Sequence, residues 1–168
     1  MIIHTNRLTL RPLIDADESF FHEMNMDKDV MRYFPNICNL EEDTIYWNNF
    51  RKKPYAFAIT TKKSNEFIGM VFLSVPKDNV PFAGETEIGW RLRKQFWRRG
   101  YATEAADALF DYAFDELNHH VIYAYTTHNN AESINVMKKL GMTYQYNFML
   151  NILKDTPLNP CVVYKIEK

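Results

Sequence analysis

The spacing of hydrophobic residues divides the chain into strands and helices. Strand patterns cover residues 7–13, 55–61, 67–75, 85–93, 120–127, 142–153 and 161–167. Apolar residues at three- and four-residue steps predict helices that begin after Asp15, Asn39, Gly100 and Asn130. The predicted order is β-α-α-β-β-β-α-β-α-β-β. Such an order is typical of a mixed sheet, because hairpins come first and two strand-helix-strand units follow.

Three of the predicted helices begin with a capping signal. Asp15 with Glu18, and Asn39 with Glu42, have the three-residue spacing of a capping box. Asn130 stands directly before another helical pattern, where an asparagine side chain can accept a hydrogen bond from the first turn. These signals fix where we expect the helices to start.

The residues that suggest chemistry are concentrated in one stretch, ETEIGWRLRKQFWRRGYATE at 85–104. It predicts a strand, a short basic loop and the first turn of a helix. N–H groups at a helix start lack partners within the helix and favour anions, and Gly100 allows a ligand to approach the backbone closely. The basic residues of the stretch are Arg91, Arg93, Lys94, Arg98 and Arg99. The stretch fits a diphosphate site, and it also fits a basic surface turn before an ordinary helix.

Composition narrows the class of protein. A chain of 168 residues with 46% hydrophobic and 24% charged residues predicts one globular domain over residues 1–168. A net charge of −1 argues against a nucleic-acid partner. Cys38 and Cys161 give neither a disulfide framework nor a four-ligand site, and the histidines lack metal-ligand spacing, so we expect no metal. The N-terminus is unlike a signal peptide and no apolar run is long enough to span a membrane, which predicts a cytoplasmic protein without a membrane partner.

Four segments resemble a known superfamily. They are TNRLTLRPL at 5–13, EIGWRL at 87–92, WRRGYATEA at 97–105 and NAESINVMKKLGM at 130–142. In this order the chain resembles the GNAT superfamily of N-acetyltransferases, and within it the ribosomal-protein N-terminal acetyltransferase (RimJ/RimL-like) subgroup. The resemblance implies the GNAT α/β (α+β) fold. That fold has a mixed, mostly antiparallel seven-stranded sheet flanked by about four helices, with the fourth and fifth strands splayed apart.

The resemblance also implies a site for acetyl-CoA as co-substrate. Backbone N–H groups of residues 97–103 would bind its diphosphate, and the main chain of the fourth strand would pair with its pantetheine arm. A backbone N–H between residues 89 and 91 would bind the thioester oxygen. The implied cofactor contacts are Leu92, Arg93, Arg98, Arg99, Gly100, Tyr101, Ala102, Thr103, Asn130 and Ser133. For Thr103 and Asn130, a role as a helix cap is as good an interpretation as a contact with the cofactor.

Two residues match catalytic positions of relatives. Glu87 matches a strand glutamate that serves as general base, directly or through a water; a solvated carboxylate is the alternative, and Glu85 is a second candidate. Ser133 is predicted to protonate the leaving thiolate, or to be an ordinary surface serine of a helix. Many members carry a tyrosine acid where this chain has Met137, which cannot donate a proton. Weaker candidates for the acid are Tyr101, Tyr144 and Tyr146.

Two further features of the sequence concern the walls of the site. The subgroup has glycine directly after the loop tryptophan, whereas this chain has Arg98, which costs backbone freedom and adds a cation. The aromatic residues in the helical region that covers the acceptor in relatives are expected to be core rather than substrate wall. They are Tyr33, Phe34, Trp47 and Phe50.

These observations predict an enzyme that transfers an acetyl group from acetyl-CoA to a primary amine by direct attack in a ternary complex. The resemblance to the RimJ/RimL-like subgroup implies a protein N-terminal amine as the leading acceptor. Its ordinary pKa near 7.7–8.0 means that it needs less help to lose a proton than a lysine amine does. The alternatives are a small amine, such as a polyamine or an antibiotic, and a non-catalytic acyl-CoA-binding module. We expect a monomer or a homodimer.

Overall fold

The computed structural model describes residues 1–34 and 39–168, so Cys38 lies outside the described residues. The strands are β1 Ile3–His4, β2 Leu8–Pro12, β3 Ala56–Thr61, β4 Phe67–Ser74, β5 Glu87–Leu92, β6 Val121–Thr127, β7 Thr143–Phe148 and β8 Cys161–Glu167. The helices are α1 Glu18–Met26, α2 Leu40–Phe50, α3 Tyr101–Asp115 and α4 Ala131–Lys139. Short 3-10 turns cover Asp15–Asp17, Lys94–Phe96 and Asn151–Leu153.

All the strands form one sheet in the order β1-β2-β3-β4-β5-β6-β8-β7. Neighbouring strands are antiparallel except β5 and β6, which are parallel. The predicted mixed, mostly antiparallel sheet is therefore confirmed. The predicted number of seven strands is wrong, because the described residues form an 8-stranded sheet. The added strand, Ile3–His4, pairs with Leu10 and Thr9 and is too short to show an alternating pattern.

The strand predicted over residues 142–153 is wrong in its second half. β7 ends at Phe148, and Asn151–Leu153 forms a 3-10 turn. The side chain of Asn159 explains the break, since it accepts a hydrogen bond from the Leu150 N–H at 3.0 Å and donates one to the Leu150 carbonyl at 3.0 Å. These bonds satisfy the backbone of Leu150 outside the sheet.

Helices cover both faces of the sheet, and alternating strand residues supply two cores. In β3, Phe57 and Ile59 pack with α3 and α4, whereas Ala56 and Ala58 pack with α1 and α2. Small residues let α3 lie close to the sheet, as its sequence predicts. Those at 0% exposure are Ala105, Ala106 and Ala113.

The capping predictions succeed at α2 and fail at α1. Asn39 and Glu42 form the predicted capping box. At α1 the cap is Asp17 rather than Asp15, because Asp15–Asp17 forms a 3-10 turn ahead of the helix. Asp17 is only 2% exposed and accepts hydrogen bonds from the Ile14 N–H and from both terminal nitrogens of Arg11. This buried pair ties the end of β2 to the start of α1.

We predict that Asp17→Ala destabilises the protein strongly. Removing one partner of a buried, hydrogen-bonded ion pair costs about 3–5 kcal/mol, because the Arg11 guanidinium is left buried without its carboxylate. Urea unfolding measures the loss. Lys168→Met is the control, since it removes an ion pair with Asp115 at 2.6 Å in which both side chains are exposed. Equal unfolding midpoints for the two variants would contradict the prediction.

Candidate active site

The site begins where the two central strands separate. β5 and β6 are paired in parallel at Glu87 and Tyr123, where the Tyr123 N–H donates to the Thr86 carbonyl at 2.8 Å. Beyond this point the ladder stops, which is the predicted splaying of the fourth and fifth strands. The gap opens into a cavity of about 1110 Å³ lined by β5, β6, α4 and the loop before α3.

The loop before α3 ends in an uncapped helix start. Gly100 is the cap residue, has φ of 78°, and brings no side-chain hydrogen bond to the first turn. α2 and α4 differ, since Asn39 and Asn130 cap them. The N–H groups at the start of α3 are therefore suited to an external anion. Thr103 lines the cavity here and forms no cap.

Arg98 has a left-handed backbone, the conformation that glycine adopts most easily, which explains why the subgroup has glycine at this position. Its φ is 60°, in the left-handed region that a non-glycine residue adopts at a cost of about 1–2 kcal/mol. Arg98 lines the cavity, so its charge faces the space before α3. Arg99 does not line it, and its guanidinium lies 5.8 Å from the Phe96 ring centre.

Arg7 holds this loop in place, a role that no pattern in the sequence indicates. Its Nη1 donates to the Arg99 carbonyl at 2.9 Å, and its guanidinium lies 4.6 Å from the Tyr101 ring centre. Glu104 orients Arg7 by accepting from its Nε at 2.6 Å and from its N–H at 2.7 Å. Thr5 adds a third hydrogen bond to Glu104 at 2.6 Å. Burial acts to raise the pKa of Glu104, but the bonds from Thr5 and Arg7 outweigh it and lower that pKa.

The main chain of β5 presents hydrogen-bonding groups to the cleft at every second residue. The Arg93 N–H donates to the Ile68 carbonyl of the β4 side at 2.9 Å, so odd-numbered residues face β4. Alternation turns the N–H groups of Trp90 and Leu92 toward β6 and the cleft. Trp90 is thus the residue between 89 and 91 whose N–H faces the predicted thioester position.

Arg93 is directed away from the cleft. Its Nη2 donates to Glu23 at 2.9 Å, its Nη1 donates to the Phe67 carbonyl at 3.1 Å, and its carbonyl accepts from the Phe96 N–H. Its backbone and side chain are engaged within the protein, and it does not line the cavity. Leu92 lines the cavity, and its carbonyl accepts a hydrogen bond from the Trp97 Nε1 at 2.9 Å, so its N–H is the group available to a pantetheine arm. The cofactor contact of Arg93 stays a prediction, and the structure places this residue outside the lining of the cavity.

Glu87 lies in the cavity at the point where β5 and β6 part. Its Oε1 accepts a hydrogen bond from Ser74 at 2.9 Å. Burial raises the pKa of Glu87 above its ordinary value, while the Ser74 hydrogen bond and the charge of Lys53 oppose that rise. A carboxylate with a raised pKa is a better proton acceptor than a solvated one.

α4 places its predicted residues against the same cavity. Asn130 accepts a hydrogen bond from the Ser133 N–H at 3.2 Å and donates one to Thr126 at 2.9 Å, so its interpretation as a cap is confirmed. Ser133 lines the cavity. Met137 also lines it and is only 1% exposed, which makes it part of the wall.

The cavity also contains a tyrosine that sequence reasoning missed. Tyr125 on β6 lines it, and burial, followed by the charge of Glu87, raises the pKa of Tyr125 to about 12. Of the three predicted tyrosines, Tyr101 lines the cavity, whereas Tyr144 and Tyr146 are exposed on β7 and do not. No local pattern marks Tyr125, because its surroundings depend on the order of strands.

The face of the cavity below α1 and α2 is largely aromatic. The Phe72 ring lies across Gly89, where a Cβ atom would come within 2.3 Å of the ring. Tyr33 and Phe34 line the cavity, against expectation, and Tyr46 lies beside them. Trp47 and Phe50 are core residues as predicted, at 0% and 1% exposure.

Within residues 1–34 and 39–168, no three His, Cys, Asp or Glu side chains are grouped so that they could hold a metal ion. Across the same residues, no helix is both long and apolar enough to cross a membrane.

Known proteins resemble this chain in sequence and in fold. The family model of the acetyltransferase (GNAT) domain matches residues 7–143. An uncharacterized N-acetyltransferase of Bacillus subtilis, YnaD, is 34% identical over 146 residues, which cover 84% of this chain and 82% of that protein. The crystal structure of a GNAT-family acetyltransferase from Bacillus anthracis has a TM-score of 0.85 at 30% identity, covering 99% of this chain and 98% of that one.

A more distant likeness concerns the fold alone. The crystal structure of spermidine N-acetyltransferase from Vibrio cholerae in complex with CoA and spermine has a TM-score of 0.74 at 20% identity, covering 95% of each chain. The splayed strands, the uncapped start of α3 and the extent of the family match lead to one assignment. This chain belongs to the GNAT acetyltransferase family and is an acetyl-CoA-dependent N-acetyltransferase.

Proposed function

We propose that residues 1–168 form one catalytic domain that acetylates primary amines, with a protein N-terminal amine as the leading acceptor, as in the RimJ/RimL-like subgroup. The observation that carries this proposal is the single cavity shared by the uncapped start of α3 and by Glu87. An anion site and a base in one cavity suit an acyl donor held at one end and an amine at the other.

The residues that would hold acetyl-CoA are those of the open helix start and the free edge of β5. N–H groups of Tyr101, Ala102 and Thr103 would bind the diphosphate beside Gly100, with Arg98 adding charge. The main chain of Leu92, with Asn130 and Ser133 opposite, would line the pantetheine arm. Arg99 would contribute through its backbone, because its side chain lies against Phe96. When bound, acetyl-CoA supplies the activated acetyl group.

Glu87 acts as the general base in this proposal. Its buried carboxylate accepts the amine proton, directly or through a water, and the Ser74 hydroxyl holds Oε1 in place. The Trp90 N–H, which faces the cleft, donates to the oxygen on which charge develops. Glu85 does not line the cavity, so it does not compete for this role.

Protonation of the leaving thiolate is assigned to Ser133, which lines the cavity on α4. Tyr125 is the second candidate, because its phenol stays protonated at neutral pH and shares the cavity with Glu87. Met137 takes no part in proton transfer. It packs as an apolar wall beneath the helix.

A small amine is the second candidate acceptor, and the likeness to a spermidine N-acetyltransferase motivates it. One screen tests both candidates: peptides with free N-termini and small amines are incubated with acetyl-CoA, and release of free thiol is measured. We expect turnover with at least one acceptor. Tight cofactor binding without thiol release across the whole panel would instead indicate a non-catalytic acyl-CoA-binding module.

Gly100→Asp is expected to abolish CoA binding, since the new carboxylate would meet the diphosphate and a side chain at φ of 78° is strained. Calorimetry with CoA measures the loss. Gly84→Asp is the matched control, because Gly84 also has a positive φ, of 90°, and has open space around it. Normal CoA affinity in the Gly100 variant would refute the assignment of the loop.

Arg7→Met and Arg7→Lys should both weaken CoA binding by about tenfold, or 1.4 kcal/mol. Lysine keeps the positive charge of Arg7 but cannot donate to Glu104 and to the Arg99 carbonyl at once. Comparison of the Met and Lys variants therefore separates the effect of the charge from the effect of the two hydrogen bonds. Arg51→Met is the control, because it removes an exposed pair with Asp15 far along the chain from the loop. Unchanged affinity in both Arg7 variants would show that Arg7 does not position the loop.

Glu87→Gln should lower kcat by roughly 10²–10⁴-fold, the usual contribution of a general base. In the wild type, kcat/KM should fall as pH drops through the raised pKa of Glu87, since the base must be ionised. The variant should lack this acidic limb. Its stability at pH 7 should not fall, because a raised folded-state pKa means that ionised Glu87 destabilises the native protein. A variant with the wild-type acidic limb would exclude Glu87 as the base.

A further inference from the structure

The carboxylates of the cavity are mostly engaged within the protein. Five line it in the described part of the chain, and four already have charged, buried or capping partners. Asp29 pairs with Lys94, Glu132 with Arg32 at 2.7 Å, Asp43 with His22 and Asn25, and Glu42 with the Asn39 N–H at 3.2 Å. The fifth is Glu87, whose hydrogen bond from Ser74 is with a neutral group. Glu42 keeps its charge at the exposed start of α2, since its partner there is a neutral N–H. Glu87 is therefore the carboxylate that the lining offers to an amine at the point where β5 and β6 part.

Two cations contact the aromatic side of the cavity that contains Phe34, Tyr46 and Phe72 (the acceptor face); Arg91 lines the cavity, and Lys53 is exposed outside its lining. Lys53 is close enough for its charge to lower the pKa of Glu87, and its Nζ lies 5.6 Å from the Phe72 ring centre. Arg91 lies 4.3 Å from the Phe34 ring centre, and its Nη1 donates to Asn25 at 2.5 Å. Both aromatic rings are thus already in contact with protein cations. A second ammonium group of a ligand would meet like charge at each of them.

The remaining surface near Glu87 is apolar. The Phe72 ring covers Gly89 and forms a floor, and Tyr46 and Tyr125 line the cavity around it. Aromatic rings bury a large apolar area and prefer an apolar or aromatic group against their faces and edges. The surface next to the base is therefore suited to the carbon skeleton that carries the amine.

We infer that the acceptor carries a single amine on an apolar or aromatic group, such as an apolar first residue of a peptide or an arylalkylamine, and that polyamines are poor acceptors. The inference rests on the proposed function and narrows its acceptor. A polyamine would place additional ammonium groups against an aromatic surface that Lys53 and Arg91 already contact, and a charge that is unpaired out of water is costly.

Matched acceptor pairs test the inference with the full chain and acetyl-CoA. The first pair is 2-phenylethylamine and spermidine, and the second is two peptides that differ only in a first residue of Phe or Lys. We expect kcat/KM, read as thiol release, to be roughly tenfold or more higher for the apolar member of each pair. Equal or faster turnover of spermidine and of the Lys peptide would overturn the inference and leave the proposed function intact. No turnover of any amine or peptide would refute the proposed function, and this inference with it.

Charge reversal at Lys53 adds a second test. Lys53→Glu should raise the ratio of kcat/KM for spermidine to kcat/KM for 2-phenylethylamine about tenfold, because it replaces a repelling charge with an attracting one. The ratio is the readout because the loss of the Lys53 charge also acts on Glu87 and therefore affects both amines alike. Lys63→Glu is the control, since it makes the same change of net charge on the exposed turn between β3 and β4. Equal gains in the two variants would mean that overall charge, and not the acceptor face, governs the preference. If Lys53→Glu does not fold, the wild-type acceptor pairs decide the question.

Discussion

The parting of β5 and β6 is the constraint on which the rest of the molecule depends. Parallel neighbours in the middle of a sheet would normally continue their ladder, and here the pairing is confined to Glu87 and Tyr123. Separation leaves the N–H and C=O groups of Trp90 and the N–H group of Leu92 without a strand partner, which is costly unless another polar chain pairs with them. The Leu92 carbonyl instead accepts a hydrogen bond from the Trp97 Nε1 at 2.9 Å. The extended amide-containing arm of coenzyme A has the chemistry to do so. The sheet thus leaves backbone hydrogen-bonding groups of β5 open to a ligand.

The start of α3, at the edge of this gap, likewise leaves backbone N–H groups available to a ligand. α2 and α4 use asparagine caps, whereas α3 begins at a glycine and offers its first-turn N–H groups outward. A carboxylate in that first turn would ordinarily compensate the helix dipole. Glu104 is instead bound by Thr5 and Arg7, so its charge fixes the loop from outside the cavity. Positive potential at the helix start is preserved while the loop that shapes it is held to the N-terminal strands.

Local patterns in the sequence predicted most of the fold and the main features of the site. The periodicities predicted the helices and the succession of strands along the chain, and the charge pattern predicted the basic loop. The glycine usual after Trp97 anticipated the left-handed backbone of Arg98. Features that depend on distant partners were not predictable. The side chain of Arg7 is held by Glu104, which lies 97 residues away, and the side chain of Arg93 is held by Glu23, 70 residues away. Tyr125 lines the cavity because β6 is the neighbour of β5 in the sheet, and no single segment of the sequence shows that arrangement.

The contact between Gly89 and Phe72 has a consequence for how such a site can diverge. The phenyl ring occupies the volume that any β-carbon at position 89 would need, at 2.3 Å. A side chain at 89 therefore requires the ring of Phe72 to turn away from its present position. Because Phe72 is half-buried and lines the cavity, a turned ring would change the surface beside the base. Replacement at position 89 should accordingly alter acceptor preference through the ring, even where the fold tolerates the new side chain.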